Sequence, residues 1–148
     1  LTSATDVASI FLEKGQRIFG LNYQNEITYY QDETKDHKEY EIVVLINGNT
    51  ASASEILASA LKESYGATIV GETSFGKGKV QQTMELDDGS MVKYTSAYWL
   101  TPNGTCIDEI GITPDHYITN EETTDETGNA MMIDNQLDRA IEILQNNK

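Results

Sequence analysis

An α/β fold organised on a parallel sheet is what this sequence predicts, and three observations predict it. Residues 41–46, EIVVLI, form a nearly continuous apolar run rich in β-branched side chains, the pattern of a strand covered on both faces. A helical pattern follows, with Ala53, Ile56, Leu57, Ala60 and Leu61 on one stripe and a stop near Gly66. Residues 67–70 return as a second buried strand. Strand, helix and strand in that order make a βαβ unit, whose two strands run parallel.

The remaining elements follow in chain order. Residues 2–14 read as a helix, because Ala4, Val7, Ala8 and Phe11 recur at helical spacing and Gly15 supplies the stop. Residues 17–22 and 26–31 read as two short strands around a polar turn, and 32–40 as a charged connector. Beyond the βαβ unit, residues 71–78 form a glycine-rich loop. Residues 79–86 and 90–100 are strand-like and joined by Asp87-Asp88-Gly89, a β-hairpin signal. A turn at 101–104 and an acidic stretch lead to a closing helix, capped by Asp134, with Leu137, Ala140, Ile141 and Leu144 as its inner face.

With 148 residues, 39% of them hydrophobic and 23% charged, the chain has the make-up of one globular domain. No internal repeat, linker or second domain interrupts it, so residues 1–148 are read as a single domain. The one cysteine excludes an internal disulfide framework, and the two histidines, His37 and His116, show no metal-ligand spacing. No metal and no organic cofactor are expected. The 10 basic against 24 acidic residues, a net charge of −14, argue against a nucleic-acid partner. No apolar run is long enough to span a membrane. Seven acids and no base lie between Asp108 and Glu126, read as a solvated surface rather than a patch selecting basic substrates.

Chemistry has two places to reside. The first is the strand-to-helix turn Thr50-Ala51-Ser52-Ala53-Ser54-Glu55. A serine there serves as an N-cap, and Ser with Glu three residues on makes a capping box. The same location suits a nucleophile, since unpaired N–H groups at a helix start stabilise an oxyanion. The second place is the loop holding Lys77, among Phe75, Gly76, Gly78 and Val80. A lysine there is either a solvated loop residue or a general base, and a base must be neutral, through desolvation or a neighbouring cation. The loop imitates a phosphate cradle through Gly71, Gly76 and Lys77, but Gly78 stands where Ser or Thr would hold magnesium, and a strand follows instead of a helix. Nucleotide binding is excluded on both counts.

Several ordered segments together resemble the C-terminal processing, or tail-specific, serine proteases: Val43-Val44-Leu45-Ile46-Asn47, Ser52-Ala53-Ser54-Glu55-Ile56, Gly71-Glu72-Thr73, Phe75-Gly76-Lys77-Gly78-Lys79-Val80-Gln81, Leu100-Thr101-Pro102-Asn103-Gly104, Gly111-Ile112-Thr113-Pro114-Asp115 and Asp134-Asn135-Gln136-Leu137 through Leu144. The resemblance implies a Clp/crotonase-like α/β spiral core, here N-terminally truncated, with a β-hairpin and a C-terminal helix. It implies Ser52 as nucleophile, Lys77 as general base, Gln81 as the residue orienting that lysine, and the Ala53 N–H as an oxyanion donor. Thr50 stands where the family usually has serine. Gly76 and Gly78 would let the loop fold closely over the helix start.

The resemblance also implies a serine endopeptidase that acts outside the cytoplasm on proteins or peptides recognised by their C-terminal tails. The family's PDZ domain and upstream Pro-Gly-Gly segment are not in this sequence, so the chain alone is expected to be nearly inactive. It is also expected to self-associate, through a sheet edge bared at Val43, Val44, Leu45 or their sheet neighbours or through the helix at residues 2–14, and membrane anchoring is expected only from parts outside it. A non-catalytic module that binds a peptide or partner chain on the same fold is the alternative.

Overall fold

The computed structural model of the chain describes residues 2–124 and 127–146. Helix α1 (Thr2–Ala8) is shorter than its pattern predicts. Beyond Ala8 the chain tightens into turns in which the Ile10 and Phe11 N–H groups donate to the carbonyls of Val7 and Ala8, three residues back. These turns bury Leu12 fully and leave Val7 39% exposed, so the inner face is Ala4, Ala8 and Leu12 rather than the stripe through Val7.

Strands β1 (Arg17–Tyr23) and β2 (Glu26–Gln31) form the expected hairpin around Gln24 and Asn25, both left-handed at φ 50° and 70°. Strand β3 (Val43–Ile46) leads into helix α2 (Ala53–Ala60), which widens into a π turn over Leu61–Tyr65 and ends at left-handed Gly66. Strand β4 (Thr68–Gly71) returns parallel to β3, with Val44 opposite Ile69. The βαβ unit therefore forms as the periodicity predicts. The covering of β3 differs: it is an edge strand, and Leu45 is 42% exposed.

Strands β5 (Lys79–Glu85) and β6 (Met91–Leu100) make the second hairpin. They join the first in an antiparallel sheet of order β2-β1-β6-β5. Three more strands fall where the sequence suggests only acidic surface. Strand β7 (His116–Tyr117) runs parallel to β4, and β8 (Glu121–Thr124) pairs with β9 (Ala130–Ile133) in a small hairpin. Asp125 and Glu126, the last acids of that stretch, lie outside the described residues.

The stretch is partly built in. Asp115 accepts the Ile69 N–H at 2.8 Å and pairs with Lys62 at 2.9 Å. Partial burial pushes the Asp115 carboxyl up, but the Ile69 N–H and the Lys62 ammonium outweigh it and hold it below the ordinary aspartate value.

Helix α3 (Asn135–Asn146) packs on β3 and β4, with Asp134 capping the Leu137 N–H at 3.0 Å. Of the expected inner face, Ala140 is buried and Leu144 half-buried, whereas Leu137 and Ile141 are 45% and 43% exposed and Gln136 is buried in their place. The buried Gln136 amide donates to the Ile118 carbonyl at 2.9 Å.

The core sits where α1, α2 and the two main sheets meet, around Leu12, Phe19, Ile46, Ile56, Ile69, Trp99 and Ile107. Burying one such branched aliphatic contributes about 1.5–3 kcal/mol. This core fixes β3, α2 and β6, the elements that frame the site.

Candidate active site

Ser52 is the turning point between β3 and α2, and its backbone is strained. Its φ and ψ are 58° and −119°, a region that side-chain-bearing residues rarely adopt and that costs on the order of 1–3 kcal/mol. The turn before it is held by Thr50, whose hydroxyl accepts the Asn47 N–H at 3.1 Å. Thr50 thus does structural work that its hydroxyl alone requires.

The strain persists because Glu55 over-determines the turn. Its carboxylate is fully buried, and an uncompensated buried charge would cost several kcal/mol. Four donors converge on it. Oε2 accepts the Ser52 N–H at 2.8 Å and the Lys77 N–H at 2.9 Å. Oε1 accepts the Ser74 hydroxyl at 2.5 Å and the Gly76 N–H at 2.7 Å. The Glu55 N–H itself donates to the Ser52 carbonyl at 2.9 Å. The glutamate half of the capping box seen in the sequence is therefore present, and that glutamate reaches beyond α2 to the glycine loop.

Lys77 is pinned through its backbone from two sides. Opposite the Glu55 contact, the Trp99 indole N–H donates to the Lys77 carbonyl at 2.7 Å. The glycines act differently from the sequence reading. A Cβ on Gly76 would lie 2.8 Å from the Gly111 nitrogen, and one on Gly78 would lie 2.8 Å from Asp108. They allow close packing on the 107–111 turn, and Glu55 makes the link to the helix start.

Ser52, Lys77 and Gln81 line one cavity of about 360 Å³, floored by Phe19, Ile56 and Trp99. No hydrogen bond joins the Ser52 hydroxyl, the Lys77 ammonium or the Gln81 amide to one another among the described residues. Ala53 is the first residue of α2, where backbone N–H groups lack an intrahelical acceptor. Apolar neighbours do not shield Lys77: its side chain is exposed, and Phe75 is 65% exposed. Its neighbouring cations are Lys79 and Lys93, which line the same cavity. Asp108 and Glu109 pair with Lys79 at 3.1 and 3.0 Å, and hydrogen bonds to Glu109 and then Asp108 raise that ammonium well above the ordinary lysine value.

Sequence reasoning missed the reach of Glu55, the clamp from Trp99, and Asp108, which also accepts the Gly78 N–H at 3.2 Å. A signal for the first was present: Glu55 directly precedes Ile56 of the apolar stripe and sits three residues after the strained serine.

The chain belongs to peptidase family S41, whose model matches residues 1–118. It is 44% identical over 115 residues to the carboxy-terminal processing protease CtpA of Bacillus subtilis (strain 168), covering 77% of this chain and 25% of that protein. A CtpA-like serine protease of Staphylococcus aureus (strain N315) is 42% identical over 118 residues, 78% of this chain and 24% of its own length. The chain thus spans about a quarter of the curated relatives that it matches.

Among solved structures, the photosystem II D1 C-terminal processing protease superposes with a TM-score of 0.74 at 37% identity, covering 80% of this chain and 31% of its own. A lipoprotein from Streptococcus agalactiae covers 97% of this chain and 49% of its own, with a TM-score of 0.70 at 17% identity, and shares the fold. The α/β architecture is that of the Clp/crotonase-like S41 proteases.

Proposed function

We propose that this chain forms the catalytic core of a serine endopeptidase of the C-terminal processing type, working through Ser52 and Lys77. The observation that carries the reading is the convergence on Glu55: one buried carboxylate holds the backbones of both residues at the rim of one cavity.

In this reaction Ser52 Oγ attacks the scissile carbonyl carbon while its proton passes to Lys77 Nζ, which must enter the step neutral. The Ala53 N–H and the positive end of α2 stabilise the oxyanion; a single such donor is worth on the order of a hundred- to a thousand-fold in rate. Lys77 then returns the proton to the leaving amine, the C–N bond breaks, and an acyl ester remains on Ser52. Water attacks the ester, giving a proton to Lys77, which passes it to Ser52 Oγ as the ester C–O bond breaks, so that the serine hydroxyl and the neutral lysine are restored. Gln81 orients Lys77 with a neutral amide, which holds an amine without restoring its charge. The substrates are proteins or peptides presented by their C-terminal tails, outside the cytoplasm.

A non-catalytic peptide- or partner-binding module is the second reading, favoured by the solvent exposure of Lys77. The test is turnover by the complete protein. Ser52→Ala and Lys77→Ala each abolish cleavage of a peptide substrate with the fold intact, and Lys77→Arg fails too, since a guanidinium keeps its proton. A Lys77→Ala protein that keeps most of its activity contradicts the base assignment.

A further inference from the structure

We infer that Lys93 receives a carboxylate of the polypeptide substrate inside the catalytic cavity, which makes it a specificity-determining residue for acidic or carboxyl-terminal segments. The inference rests on the peptidase reading above. Lys93 lies on β6 opposite Thr83, two residues before Thr95, the partner of Gln81 across the β5–β6 hairpin. That spacing places Lys93 on the face of the hairpin that also carries Gln81. Its side chain lines the cavity with Ser52 and Lys77.

The charge pattern there reverses that of the molecule. The chain carries 24 acidic against 10 basic residues, yet three lysines and no acid line this cavity. The three differ in how their charge is balanced. Lys79 is held between Asp108 and Glu109. Lys77 must be neutral when it takes the serine proton. Lys93 has no carboxylate within ion-pair distance and no hydrogen bond among the described residues, so it is the charge left uncompensated in the reacting state.

A cleft of one sign with apolar walls, here Phe19, Leu21 and Trp99, concentrates oppositely charged groups, whereas the acid-rich remainder of the surface repels them. A substrate carboxylate entering the cavity therefore meets Lys93 as its partner. Lys93 acts on binding rather than on the bond-making atoms.

The experiment uses the complete protein and one peptide, amidated at its C-terminus, with an acidic, neutral or basic side chain moved through the positions flanking the scissile bond. A neutral peptide with a free terminal carboxylate forms a further arm and separates a side-chain source from a chain terminus. The wild-type protein prefers the carboxylate-bearing peptide by about 1.5-fold to fivefold in kcat/KM, carried by KM, which is the range of an exposed ion pair. Lys93→Gln brings the acidic-to-neutral ratio to about one, and Lys93→Glu transfers the preference to the basic peptide.

A wild-type protein that cleaves all the peptides equally well overturns the inference and leaves the peptidase reading standing. A Lys93→Gln variant that slows every peptide alike, with a displaced pH profile, also overturns it and makes Lys93 a neighbour that tunes Lys77. Absence of turnover on every peptide overturns both readings.

Discussion

The carboxylate of Glu55 accepts the backbone N–H of Lys77 at 2.9 Å, across 22 residues of sequence. Through its contact to the Ser52 N–H, the same oxygen ties the turn that carries Ser52 to the loop that carries Lys77. A carboxylate suits this position because all four of its partners are donors and it needs none in return. Glu55→Gln would turn two N–H donors toward donors of the loop or the turn. Leaving such groups unpaired costs about 2–4 kcal/mol, so the melting temperature falls and peptidase activity drops by more than stability alone explains. Wild-type activity in Glu55→Gln would show that the link does not position the pair.

Ser52 offers a prediction that separates the strain of its backbone from the loss of its hydroxyl. At φ 58° and ψ −119°, glycine relieves strain that any Cβ retains. Ser52→Gly is inactive but more stable than Ser52→Ala by about 1 kcal/mol, which thermal melting resolves as roughly 2–4 °C. Equal melting temperatures for the two variants would mean that the turn is relaxed.

Asp115 sets part of the acid stability. Its folded value lies below the ordinary 3.8, so its contribution is complete above about that pH and is lost as the pH falls through the folded value. Protonation releases Lys62 and weakens acceptance of the Ile69 N–H at the β4–β7 junction. The melting temperature of the wild-type chain therefore declines below about pH 4, and Asp115→Asn shows a shallower decline. Parallel acid limbs for the two proteins would remove Asp115 from the account.

How much of this was legible in the sequence depended on how local each signal was. The β3-α2-β4 unit was readable because its apolar runs and stripe lie within the elements themselves. Ser52 and Lys77 were nameable through motif resemblance. Their connection was not, because Glu55 reads locally as a capping residue, and nothing in the spacing tells that it meets Ser74, Gly76 and Lys77. Strands β8 and β9 were hidden for another reason. Their side chains stay largely exposed on both faces, so no alternating pattern marks them. In α3 the apolar spacing found Ala140 and Leu144 but also pointed to Leu137 and Ile141, which stay exposed, while the polar Gln136 is buried and donates to the Ile118 carbonyl.

The free edge of β3 gives a prediction for the 148-residue chain studied alone. Among the described residues only β4 supplies a ladder partner to β3, and Leu45 at 42% exposure adds apolar surface. Such an edge recruits another chain, so the molecule associates as its concentration rises, and Leu45→Lys weakens the association. Light scattering checks this; a clean monomer at high concentration contradicts it.

The central claim, a Ser52 nucleophile activated by Lys77, is tested most directly by mapping the adduct of a fluorophosphonate probe on the complete protein by mass spectrometry. The account predicts a single modified residue, Ser52, in the wild-type protein, and no appreciable labelling in Lys77→Ala or Lys77→Arg. An adduct on another residue, or labelling of Lys77→Ala at the wild-type rate, would contradict it.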